Sequence, residues 1–197
     1  MKRCVLFCML GSFVFVSVVV HAQEKPRIGV LRFTCSAAGL EWFRSSVASD
    51  LQDMLISHLS GTQDFQVLNK SRTDVVLSMK DLGGSDRVSS TDHAKLMKID
   101  NAKYLVAASI SSSKTVLEGK KEDTFIAFSV AVILKETGVI VNSSTIAASA
   151  EAAAADPNLD LSQYSPRSEK SRNTSLTAAI QACTKKTAVH LSRLPLS

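Results

Sequence analysis

The chain has little with which to do chemistry. Its 8 glycines are scattered, and neither GxGxxG nor GxxxxGK[ST] occurs. No loop therefore has the pattern that lets a backbone close around a pyrophosphate or a triphosphate. Of its 4 histidines, His58, His93 and His190 lie on separate segments, and none falls in the HExxH, HxxxH or paired-cysteine spacing of a zinc site. Serine is abundant, yet the GxSxG elbow of an acyl-transfer nucleophile is missing. A net charge of +5, or +3 once Lys2 and Arg3 are set aside, is a mild excess, far from the dense basic stripe that nucleic-acid binding demands. The expectation is a non-enzymatic protein with no cofactor, no nucleic-acid partner and no evident small-molecule substrate.

Long apolar runs are also scarce. The one present, Val5–Val20, follows Lys2 and Arg3 and ends at Val20-His21-Ala22. It is shorter than the about 20 residues of a membrane span, and it has the layout of a secretory signal peptide over residues 1–22, cleaved after Ala22. Cys4 and Cys8 come too early, and Cys35 too late, to serve as a lipid-attachment site. The expected location is the periplasm. Without Lys2 and Arg3 the mature chain keeps 21 basic against 18 acidic residues, a net +3. Attraction to an anionic membrane would then be weak and screened beyond about 8 Å at physiological salt, so membrane association is at most peripheral. Of the 4 cysteines, Cys35 and Cys183 remain. An oxidising compartment allows a disulfide between them, with an ideal-chain stabilisation of about 5 kcal/mol. Two buried thiols acting as small hydrophobes fit the same pattern.

Arg27–Phe33 reads as a buried strand and Thr34–Gly39 as a turn. Leu40, Phe43, Val47, Leu51, Met54, Leu55 and Leu59 then recur at helical spacing up to Gly61. Phe65–Leu68 is a short strand. Val75, Val76 and Met79 predict a second helix, started at Ser71 or Thr73 and stopped at Gly83-Gly84. A third begins near Ser90–Asp92 and carries Ala94, Leu96 and Met97. From Tyr104 the period becomes two: Tyr104–Ile110, reaching to Leu117, then a charged tip at Gly119–Asp123, Phe125–Leu134, a turn at Glu136–Gly138, and Val139–Ala147. This is an antiparallel meander. Leu176, Ile180, Cys183, Ala188 and Leu191 mark a final helix. The order β-α-β-α-α-β-β-β-α predicts an α/β fold with a single mixed sheet of about four to five strands flanked by helices. Residues 23–149 form the core domain, 150–172 a flexible connector rich in Ser, Asp and Pro, and 173–197 a C-terminal helix packing on the core.

Trp42 lies beside the apolar stripe of the first helix, and Ile56 points almost the same way. The pair is either a partner-binding patch, since Trp anchors interfaces, or one edge of a wide buried face.

The stretches RIGVLRF, LQDMLISHLSGTQDFQVLNKSRTDVVLSMKDLGG, HAKLMKIDNAKYLVAASIS and LKETGVIVNSSTIAAS, in that order, resemble the curli-secretion component (CsgG) family. They are similar also to the periplasmic domains of outer-membrane activators of penicillin-binding proteins and to the N-terminal domain of TolB. The resemblance covers about residues 27–149 and the last helix. It implies an α/β domain in a bacterial envelope that works in assembly or secretion by contact with another envelope protein, or by self-association, and it maps no catalytic residue. Curli-type channels are lipoproteins with membrane-crossing hairpins. Here no cysteine is suitably placed, and the strands belong to the core sheet. The soluble domain is therefore expected rather than a subunit of an outer-membrane secretion channel. An envelope hydrolase or small-ligand binder, with a pocket near Cys35 and His58, is a further alternative.

Overall fold

The computed structural model describes residues 24–73, 75–77, 86–153, 163–168, 171 and 174–196. The leader, residues 1–22, lies outside them. One mixed six-stranded sheet runs through the molecule. Its strands are β1 (Arg27–Val30), β2 (Thr34–Cys35), β3 (Gln66–Val67), β4 (Tyr104–Glu118), β5 (Lys121–Leu134) and β6 (Val139–Ala153). The order is β3-β1-β4-β5-β6, with β2 also paired to β4. β1, β2 and β3 pair in parallel, and β4-β5-β6 are antiparallel. The helices are α1 (Ser45–Thr62), α2 (Ser90–Leu96) and α3 (Ser175–Ser192). This is the expected α/β class. The additional strand is β2, because Thr34 and Cys35, assigned to a turn, line up against Ser109 and Ile110.

Period-two alternation divides the core between two faces. Tyr104, Val106, Ala108 and Ile110, with Ile126, Phe128, Val130 and Val132, pack against α1 and α3. Leu105, Ala107, Ala131 and Ile133 face the other way, toward Leu96, Ile99, Leu68 and Val88. Gly29 allows a close approach here: a Cβ would meet Thr73 Cγ2 at 2.8 Å and Leu105 Cδ2 at 2.9 Å.

Three expected features are corrected. The helix through Val75 and Val76 does not form. A 3-10 turn at Lys70–Arg72 is capped by Asn69, whose side chain accepts from the Ser71 amide. After it the chain extends, with Arg32 donating to the Val75 carbonyl at 3.2 Å and pairing with Val76 in a parallel bridge. Two adjacent β-branched residues tolerate this well, and strand pairing overrides a weak helical spacing. Met79 lies outside the described residues. Second, α1 starts at Ser45 instead of Leu40, because Leu40–Phe43 is a turn closed by Phe43 donating to the Leu40 carbonyl. Third, part of the expected connector is built into the fold. β6 continues to Ala153, and Tyr164 is buried. Residues 154–162 lie outside the described set.

Candidate interaction surfaces

Trp42 turns inward from its loop. It is 6% exposed and meets Tyr164 edge-on, with ring centroids 5.6 Å apart. Ile56, on α1, is half-buried against the same core. The pair therefore offers no open aromatic patch. Trp42 is the socket for the segment around Tyr164. The Tyr164 carbonyl accepts from Arg44 at 2.9 Å, and its hydroxyl shares a hydrogen bond with Thr177 on α3 at 2.9 Å. Ser165 donates to Asp50 at 2.6 Å, and Arg167 pairs with Asp53 at 3.1 Å. Burial raises the Tyr164 phenol above its ordinary range. Ser and Arg signal a loop in sequence. Only the position of their partners on α1 shows that they clamp it.

Cys35 and Cys183 are both free thiols. Cys35, on β2, donates to the Ala37 carbonyl at 3.3 Å. Cys183, on the inner face of α3, donates to the Ile146 carbonyl at 3.2 Å. Burial pushes the Cys183 thiol up to about 12, against smaller opposing contributions from the Phe128 backbone and Lys186. It also raises Cys35. Neither is the thiolate that nucleophilic chemistry requires. Burial, then Lys185, lowers the His58 pKa. His58 lies in a groove with Met54, Ala178, Gln181, Ala182 and Lys185, and Cys35 is not part of it. Among the described residues no three His, Cys, Asp or Glu side chains stand together as a metal site.

One Ser–His contact was not foreseen. Ser144 Oγ lies 2.8 Å from His190 Nε2, with Asn142 Oδ1 2.7 Å from the hydroxyl. Ser144 has one proton to give. Donated to Asn142, it leaves the hydroxyl to accept from an Nε2–H, and a protonated Nε2 is no base for that serine. The cluster fastens the C-terminal turn of α3 to β6.

What the fold presents outward is different. β4, β5 and β6 run on past the N-terminus of α3 as a three-stranded arm. Where α3 ends, the sheet beneath it turns polar: Thr124, fully buried, bonds Ser175 at 2.7 Å and Thr115 at 2.9 Å. One rung before that point Phe125 is exposed on the opposite face, and beyond it Val116 and Leu117 are exposed, Leu117 at 65%. β6 forms one side of the sheet. Its start is covered, since Ile140 donates to the Asp86 carbonyl at 2.9 Å and Val139 bridges Arg87. Past Ile140, no strand among the described residues pairs with its outer edge. From Val139 to Ala150 it holds no charged residue and no proline. These are devices by which natural edges avoid pairing with other chains. No helix of the described residues is long and apolar enough to cross a membrane, which says nothing of strands.

The family model for the curli production assembly/transport component CsgG matches residues 15–194. No curated protein sequence matches the chain. Among solved structures, the hypothetical protein CT253 from Chlamydia trachomatis is similar in fold, with a TM-score of 0.60 at 13% identity, over 85% of this chain and 96% of that one. The PelC dodecamer from Paraburkholderia phytofirmans matches with a TM-score of 0.48 at 10% identity, over 84% of this chain and 86% of that one. The lipoprotein GNA1162 from Neisseria meningitidis matches with a TM-score of 0.45 at 11% identity, over 68% and 88%.

Proposed function

The chain belongs to the CsgG family, and from that premise we propose that it is an exported, non-enzymatic envelope protein that acts in assembly or secretion by docking on another envelope protein or on itself. The observation that carries this reading is the arm: three paired strands that leave the core, with exposed apolar side chains and an edge that no strand among the described residues pairs. Such a surface is costly to leave wet unless something covers it. The buried Cys183, the half-buried Cys35 with its thiol pKa raised, and the structural role of Ser144 and His190 support the absence of turnover.

A channel-subunit reading is weaker. A membrane hairpin needs one apolar face over strands of about 9–11 residues. On the arm, Lys114, Asp123 and Glu151 point to one face and Glu122 to the other, so neither face forms an uninterrupted apolar belt.

The test is fractionation and cross-linking of the tagged full-length chain in the native cell. The expected result is release without detergent, an N-terminus at Gln23, and a cross-linked complex of fixed composition. Cytoplasmic residence would overturn the reading. Retention in the outer membrane as rings would favour the channel.

A further inference from the structure

We propose that the outer edge of β6 and the flank of α3 above it form a groove that accepts an extended, acidic segment of a partner protein as an added strand. This rests on the docking function proposed above and names its surface. Extended peptides join exposed sheet edges through main-chain hydrogen bonds, while neighbouring side chains select the sequence.

The backbone half of the site is β6 past Ile140, unpaired among the described residues and uncharged as far as Ala150. The selecting half is α3. The helix, Ser175–Ser192, contains no Asp or Glu. Its outer side carries a groove of about 410 Å³ lined by Ala182, Lys185, Lys186, Val189, His190 and Arg193, with no carboxylate among them. Two of these residues lean over the strand: Lys186 Nζ donates to the Ala147 carbonyl at 3.2 Å, and His190 touches Ser144 at 2.8 Å. A strand laid beside β6 would turn every second side chain toward that flank. Carboxylates there would meet Lys186 and Arg193, and an apolar residue would meet Val189, which is 39% exposed.

The same charges disfavour a second copy. Antiparallel pairing of β6 with itself places the two-fold axis perpendicular to the sheet. Both α3 helices then share a face, and their basic flanks confront each other across the seam. Head-to-tail pairing would use β3 as the other edge, and β3 spans only Gln66–Val67.

The probe is a fluorescein-labelled peptide of alternating Glu and Thr or Val, titrated against the full chain by anisotropy. Binding should weaken about tenfold or more in the exposed double variant Lys186→Glu/Arg193→Glu, with its far-UV circular dichroism unchanged. It should also weaken with salt, and be lost when alternate peptide nitrogens are methylated, which keeps the side chains and removes the donors of a strand ladder. Amide exchange in β6 between Asn142 and Ala150 should slow on binding. Equal binding of the methylated peptide would overturn the proposal, because charge alone would then be at work. So would capture by phosphatidylglycerol vesicles in preference to the peptide. If the double variant still forms its cross-linked envelope complex, this groove is not the site, while the docking function stands.

Discussion

The same three strands live in two environments. At the base of the meander, Tyr104–Ile110 and Ile126–Ile133 are sandwiched between α1 and α3 on one face and the smaller α2 layer on the other. In the arm, the pairing continues from Lys114–Phe125 out to Glu118–Lys121, first without the α2 layer and, past Thr124, without α3. Backbone hydrogen bonds therefore specify the arm, and side-chain burial specifies the base. Evolution is free to vary the arm's side chains without unfolding the protein, which suits a surface that meets partners.

The comparison breaks most visibly with one aromatic from each region. Phe128 is fully buried and packs edge-on to Phe33 at 5.4 Å. Phe128→Ala should cost about 3–5 kcal/mol in urea unfolding. Phe125, three residues away and 42% exposed, should change by no more than about 0.5 kcal/mol on the same substitution. Equal losses would mean that the arm is part of the core.

Glycines sharpen the same contrast. Gly29→Ala drives a methyl into Thr73 and Leu105 and should cost about 1–3 kcal/mol by overpacking. At the arm's tip Gly119 has φ +62 and open space around it. Gly119→Ala meets only backbone strain, about 1 kcal/mol, read as a smaller shift of the denaturation midpoint.

The ion pairs should separate more gently. Beside the base, a hydrogen bond from Lys95, with help from Ser89, holds the Asp92 carboxyl below its ordinary value despite burial. A depressed folded pKa stabilises above the unfolded value of about 4 and is lost as pH falls through the folded one. Asp92→Asn should lower the stability at neutral pH and flatten the acid limb of a stability-against-pH curve. On the arm, Lys121 pairs with Glu151 in full solvent. Glu151→Gln should leave the midpoint unmoved at physiological salt, since exposed pairs contribute little.

Much of this was legible in the chain. α3 was expected from the spacing of Leu176, Ile180, Cys183, Ala188 and Leu191, and all five are buried. The meander followed from its period of two and from the glycine turns, Gly119 and Gly138 both taking positive φ. The stretch through Val75 and Val76 misled, since its apolar spacing suited a helix and Arg32, far away in sequence, claimed it for a bridge. The apolar spacing sets Trp42 on a helix, yet α1 begins three residues later, at Ser45. The clamp at Tyr164 carried no signal, because its partners Arg44, Asp50, Asp53 and Thr177 are scattered along the chain.

The sequence by itself determined which segments are helix or strand wherever local periodicity is strong, and it determined that no reactive motif is present. It did so because both properties reside in neighbouring residues. Only the tertiary structure decided that Trp42 is a socket, that the two thiols are free groups, and that the edge of β6 past Ile140, unpaired among the described residues, lies beneath a basic helix. Each of those depends on where distant segments meet, and that is set by packing across the whole sheet.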